Sequence, residues 1–383
     1  MNAENILLSD PDISKLELEF AGAVLSSARL SQGELTEAFE QSFAAWLGRK
    51  YAIAVSSSTL AVWMCLTAWE IGDEDEVVTS AHSWHQIARG ISLAGATPIF
   101  ADIDYWAGTL APDKAAERIT ADTKAILAGN TNGHPADWQA LRALAQQHGL
   151  RLIEDCTESI GSRYQGVQTG TFGDCAIFDF AQPSALCCGE GAMIVTDDLE
   201  FARTLRYLRD RQPDQRHSLS ITRLLPLNAR ISDLTATLGL VQLRRIEEIL
   251  AKRQQVTRWY EEQIKSFEGI KPPHLAPEVD SVNWFLYTVH LGTRFSFSSC
   301  RAIVEDLRTA GIEAALYSRP LYLERYYVEQ GWRKGSCFVT EKVADRAIAL
   351  PFHTHLTEAQ IAFIVKTTKD ASINVGAGAA IYL

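Results

Sequence analysis

Cys175-Ala-Ile-Phe-Asp-Phe-Ala-Gln-Pro-Ser-Ala-Leu-Cys-Cys-Gly-Glu-Gly-Ala192 decides how the rest of the chain is read. Ala176 to Phe180 is an apolar run of strand length, and Gly189 to Ala192 is a turn with little side-chain bulk. A further apolar run, Met193 to Val195, follows at once. The segment between the two runs is therefore a loop at a strand's exit, where open α/β sheets place their chemistry.

Working outward, the same alternation repeats. Strands are predicted at 51–55, 77–79, 97–101, 124–128 and 151–155, separated by helices at 60–69, 84–93 and 137–148. Short apolar strands alternating with amphipathic helices imply a mainly parallel sheet with helices on both faces. Towards the N-terminus, a helix running from Ser31 to Leu47 carries Leu35, Phe39, Phe43 and Trp46 on one face. Residues 199–209 read as a helix and 211–230 as a polar loop containing His217. Ser232 and Asp233 then cap a long helix. The expected division is an N-terminal segment at 1–30, a large α/β domain at 31–251 and a smaller α+β domain at 252–370. The smaller domain should hold a strand at 285–291, helices at 298–310, 341–348 and 357–367, and a strand at 313–316. The tail 371–383, with Gly376-Ala-Gly-Ala-Ala380, is expected to lack regular structure.

With 383 residues, 47% hydrophobic and 22% charged, the composition is that of a globular enzyme or binding protein. A net charge of −11 without a dense basic stripe argues against nucleic acid as a partner. No apolar run reaches the roughly 18 residues needed to span a bilayer, and no basic-then-apolar leader opens the chain, so a cytoplasmic location is expected. Seven cysteines at irregular spacing suit buried thiols better than a disulfide framework, and without a CxxC pair no metal site is expected.

Ser56-Ser-Ser-Thr59, between a strand and a helix, forms a potential anion cup, although such residues cap helices everywhere. Its order relative to the other signals is more specific. Gly33-Glu-Leu, Ala54-Val-Ser-Ser-Ser-Thr59, Gly72-Asp-Glu-Asp-Glu-Val77 and Gly133-His-Pro-Ala-Asp137 come first. Ile153-Glu-Asp-Cys-Thr-Glu-Ser-Ile-Gly161, Gly170-Thr-Phe-Gly-Asp174, Gly189-Glu-Gly191, Asn228-Ala-Arg230, Gly239-Leu-Val-Gln-Leu243 and Ala349-Leu-Pro-Phe-His353 follow. In this order, over about residues 31 to 370, they resemble the DegT/DnrJ/EryC1/StrS family of pyridoxal-phosphate sugar aminotransferases.

The resemblance implies the fold-type I aminotransferase fold and roles for particular residues. Asp155 falls where an aspartate pairs with the cofactor's pyridinium nitrogen, Trp84 where an aromatic ring stacks on it, and Glu158 where Gln or Glu faces the phenolic oxygen. Ser58 and Thr59 match the phosphate cup, with Ser58 replacing a usual glycine. Asn228 and Arg230 match residues that reach into a neighbouring subunit's site, implying a dimer. Tyr317, Arg319 and His353 sit where the smaller domain would touch substrate.

Two departures oppose ordinary binding of pyridoxal or pyridoxamine phosphate (PLP or PMP). The family reads Phe-Ser-Phe-x-x-x-Lys where this chain reads Phe178-Asp-Phe-Ala-Gln-Pro-Ser184. A serine hydroxyl forms no imine, and no lysine occurs between Lys124 and Lys252. Asp179 replaces a serine that donates to the phosphate, putting a carboxylate against it. The leading expectation is an enzyme of this descent that has lost lysine-dependent transamination. It would act on a sugar-like or amino-bearing metabolite, with PLP or PMP held non-covalently or with no PLP. The alternatives are a non-catalytic subunit paired with a lysine-bearing homologue, and an aminotransferase whose lysine, such as Lys252, comes from elsewhere.

Overall fold

The computed structural model describes residues 5–28, 30–31, 34–210, 224–265 and 269–381. Seven strands form the main sheet: β1 (Tyr51–Val55), β2 (Glu76–Ser80), β3 (Thr97–Ala101), β4 (Thr123–Gly129), β5 (Arg151–Asp155), β6 (Cys175–Asp179) and β7 (Ala192–Thr196). Their order is β1-β7-β6-β5-β4-β2-β3, and only β7 runs antiparallel to its neighbours. Every residue of β6 and β7 is buried, as expected of strands covered on both faces.

Alternation along β6 determines what each face meets. Cys175 and Ile177 join the core that holds Ala61, Met64 and Cys65 of helix α3, whereas Ala176, Phe178 and Phe180 join Phe39 and Phe43 of α2 on the other face. In chain order the longer helices begin with α1 (Lys15–Leu25), α2 (Glu34–Leu47), α3 (Ser58–Ala68), α4 (His85–Leu93), α5 (Trp138–His148) and α6 (Leu199–Arg209). Gly239 lies on α7 (Asp233–Arg244), where an added Cβ would stand 2.4 Å from the Phe39 ring, so α2 and α7 approach closely there.

The second sheet is antiparallel: β8 (Ile270–Lys271), β9 (Tyr287–Leu291), β10 (Ala315–Leu316) and β11 (Ala347–Leu350), ordered β8-β9-β11-β10. It packs with α8 (Ile246–Ile264), α9 (Phe297–Thr309) and α10 (Glu358–Ile381) around Tyr260, Tyr287 and Phe352. No helix among the described residues is long and apolar enough to cross a membrane.

The leading segment contains α1, capped by Ser14 in a reciprocal bond with Glu17. Three sequence expectations are corrected. The long helix after Ser232 is two helices: Arg245 at the joint departs from helical geometry (φ −100°, ψ 5°), and its side chain pairs with Asp12 and Glu17. Residues 347–350 form a strand rather than the end of a helix, their apolar run being buried between β9 and β10. The small-residue tail 376–380 continues α10 instead of ending it. The loop at 211–223, with His217, and Gly33 lie outside the described residues.

Candidate active site

The C-terminal ends of β4, β5 and β6 bring three buried carboxylates together. Asp155, the last residue of β5, accepts hydrogen bonds at Oδ1 from the Thr157 backbone N–H (2.9 Å) and hydroxyl (2.5 Å). Its Oδ2 faces the Ser83 hydroxyl at 3.5 Å. Burial pushes the Asp155 carboxyl up to about 6; the Thr157 donors oppose this and the Asp179 charge adds to it. Glu154, one position earlier, points to the opposite face and is used structurally, accepting from Asn130, Gly170 and Phe172.

Glu158 follows on the next turn of chain. The Asn132 backbone N–H donates to it, and the Tyr317 hydroxyl reaches both its oxygens at 2.8 and 2.7 Å. Burial again dominates and lifts its pKa to about 7, against these two donors. Asn132 has a left-handed backbone (φ 54°), a conformation that asparagine tolerates, and the adjoining Gly133 has φ 93°. A Cβ on Gly133 would lie 2.3 Å from the Asn283 carbonyl oxygen, so only glycine lets this turn present Asn132 to Glu158. Trp84 precedes α4 and meets Phe285 edge-on at 5.7 Å. Its indole Nε1 is buried without a hydrogen-bond partner.

Asp179 is the third carboxylate. It has the same strand parity as Cys175 and Ile177, so it faces the N-terminus of α3, where the Ser58 hydroxyl donates to its Oδ2. The Ala181 N–H donates to Oδ1 at 2.8 Å. Ser58 and Asp179 are 1% and 4% exposed, so the hydroxyl expected to face a phosphate is committed to a carboxylate in a dry setting. In the following loop the Ser184 hydroxyl donates to the Leu186 carbonyl at 3.0 Å, and Gln242 accepts the Cys187 N–H at 2.7 Å.

The remaining sequence candidates are less closely joined. Thr59 stands beside Ser58 in the first turn of α3. Arg230 pairs with Asp210 of its own chain at 2.9 Å, and Asn228 is exposed. Lys252 is held by Asp12 (3.1 Å) and Glu248 (2.7 Å). His353 is buried with neither ring nitrogen partnered. All seven cysteines are buried and free, and among the described residues no cluster of three or more His, Cys, Asp or Glu is arranged to hold a metal. Sequence reading passed over Ser83, Thr157 and Asn132. Asn132-Gly133 directly after a strand was the available signal for the last.

Pyridoxal phosphate needs a ring partner, a phosphate seat and an amine for its aldehyde. Asp155 suits the first need. Ser58 is paired with Asp179, and the Ser184 hydroxyl donates to the Leu186 carbonyl. On the positions that the family resemblance implies, a covalent, phosphate-anchored cofactor would meet neither an amine nor an unpaired hydroxyl.

The model of the DegT/DnrJ/EryC1/StrS aminotransferase family matches residues 11–369. GDP-perosamine synthase of Caulobacter vibrioides is 33% identical over 334 residues, 86% of this chain and 88% of that protein. Among solved structures, S. venezuelae DesV in complex with a ketimine intermediate superposes with a TM-score of 0.89 at 28% identity, covering 97% of this chain and 99% of that one. Helicobacter pylori PseC, an aminotransferase involved in the biosynthesis of pseudoaminic acid, does so with a TM-score of 0.89 at 25% identity, covering 96% and 100%. The fold is thus that of the fold-type I aminotransferases.

Proposed function

The chain belongs to the DegT/DnrJ/EryC1/StrS aminotransferase family, and we propose that it keeps the family's cleft for a sugar-like metabolite while having lost transamination through a lysine. The observation that carries this reading is the Ser58–Asp179 hydrogen bond. It fills the phosphate seat with the protein's own carboxylate, in the same site where Ser184 replaces the amine. The kinship with a GDP-perosamine synthase supports a nucleotide-linked sugar as the substrate class.

In this reading the working groups are Glu158, Tyr317 and Asp155. Burial brings both carboxyls to pKa values, about 7 and about 6, at which they exchange protons near neutrality. Tyr317 and Asn132 fix the Glu158 carboxyl through both its oxygens. A bound sugar carbon or hydroxyl facing Glu158 would meet an oriented proton donor or acceptor without any imine. Exposed Asn228 suits a role at a dimer interface, either in a homodimer or beside a lysine-bearing homologue. Lys252 does not suit the part of a substitute amine, since two carboxylates already hold it.

The test is a titration of purified protein with GDP-mannose and, separately, with PLP. Saturable binding of the nucleotide sugar without a visible-absorbing PLP adduct supports the proposal. Turnover of an amino donor with stoichiometric PLP would refute it.

A further inference from the structure

Asn132 and Tyr317, which hold Glu158, also line a small recess that the carboxylate cluster leaves unexplained. The recess measures about 30 Å³, room for one oxygen-centred group. It shares Trp106, Ala107, His134 and His274 with an adjoining trough of about 410 Å³.

Two buried polar atoms on residues lining the recess lack partners. His82 is 3% exposed, and its Nδ1 lies 3.1 Å from the Gly108 carbonyl oxygen. A carbonyl only accepts, so Nδ1 carries the hydrogen and Nε2 is left as a bare acceptor with no partner. Thr288, also 3% exposed, has an unpartnered hydroxyl. Buried polar atoms are nearly always satisfied, so two orphans on one recess mark the place of a further group. A hydroxyl would complete the set, donating to His82 Nε2 while accepting from Thr288 Oγ1.

The surroundings select against charge. Burial holds the His82 imidazole below its ordinary pKa and brings those of His134 and His290 to about 4, so all three are neutral. Neither space has a lysine or arginine in its wall, and Asp104, Asp113, Asp137 and Glu278 border the trough. Lys271 Nζ stands 5.4 Å over the Trp106 ring, but the four carboxylates outnumber this one cation, so a phosphate there would meet net repulsion. Trp106, 54% exposed, is packed edge-on against Tyr105 at 5.0 Å and carries Lys271 Nζ 5.4 Å over its ring; its exposed remainder offers apolar surface of the kind that receives the C–H side of a sugar ring.

We infer that the recess between His82 and Thr288 is a subsite for one hydroxyl of an uncharged, polyhydroxylated group whose remainder lies along the trough over Trp106. The subsite deepens the proposed function, and rests on it, by saying which part of a sugar-like substrate is read and by which atoms. A lone water would satisfy the same two atoms but would make no use of Trp106.

Crystals of the full chain soaked in D-mannose test this directly. Sugar density with an oxygen between His82 Nε2 and Thr288 Oγ1, lost in Thr288→Val crystals, is the expected result. A lone water there at every mannose concentration would overturn the inference. In solution, the mannose-dependent change in tryptophan fluorescence should shift to roughly tenfold higher concentration in Thr288→Val or His82→Gln; an unchanged midpoint in both variants also overturns it. Mannose seated in the recess, with no binding of GDP-mannose above that of GDP, would uphold the subsite and sink the proposed function instead.

Discussion

Replacing Asp179 by asparagine preserves the side chain's shape and removes its charge at the N-terminus of α3. A phosphate brought to the Ser58 hydroxyl would stand within about 4 Å of the Asp179 carboxylate, where repulsion costs ~4 kcal/mol per unit charge at an effective dielectric of 20. That corresponds to roughly a thousandfold in affinity. Little of it is screened by salt, because both residues are almost fully buried. Asp179→Asn should therefore bind PLP about 100- to 1,000-fold more tightly than the unaltered protein. Equilibrium dialysis against PLP, with pyridoxal as the phosphate-free control, measures the difference. Pyridoxal affinity should not change. The substitution also leaves one amide N–H beside Ser58 and Ala181 without an acceptor, so a stability loss of about 1–3 kcal/mol is expected alongside the gain. Asp179→Ser, which leaves no such group, should show the same direction in affinity. Equal PLP dissociation constants in all three proteins would refute the electrostatic reasoning.

Three further outcomes follow from the same geometry. Glu158 has a folded-state pKa of about 7 against an ordinary 4.5, so the folded chain holds this proton more tightly than the unfolded chain. The stability it contributes is complete below pH 4.5 and is lost as pH rises through 7, by roughly 3 kcal/mol in all. Glu158→Gln has no proton to lose, so its melting temperature should fall less between pH 5 and 8; an unaltered slope in thermal melts would contradict the assignment. Tyr317→Phe removes a donor to the charged carboxylate and should raise the Glu158 pKa further, visible as an upward shift of its carboxyl band titration in infrared difference spectra. Gly239→Ala gains about 1 kcal/mol of helix propensity but drives a methyl to 2.4 Å from the Phe39 ring. Overpacking of about 1–3 kcal/mol should win, and denaturant unfolding should show net loss of stability.

The main sheet was legible because its strands are short, apolar and bounded by turn residues, and Thr97–Ala101 and Arg151–Asp155 came out to the residue. The strand at Ala347–Leu350 was not, since four apolar residues after an amphipathic helix carry no period of their own and only pairing with β9 and β10 fixes them. In the site, Asp155, Glu158 and Asp179 could be named from motif positions. Ser83 and Asn132 could not, and Tyr317 was named only as a substrate contact, because these partners come from separate segments and meet the carboxylates only through the fold. The Ser58–Asp179 bond shows the limit well. Sequence placed both residues near a phosphate, but only strand parity and the position of α3 showed that they pair with each other.

The account's central claim is the loss of a cleft amine, and the Ser184→Lys, Asp179→Ser double variant tests it most directly. Mixed with PLP, the variant should gain a stoichiometric adduct absorbing in the visible; borohydride reduction should bleach that band and fix the adduct covalently at residue 184, while the unaltered protein forms none. A stoichiometric adduct in the unaltered protein, mapping to a lysine within reach of Asp155, would contradict it.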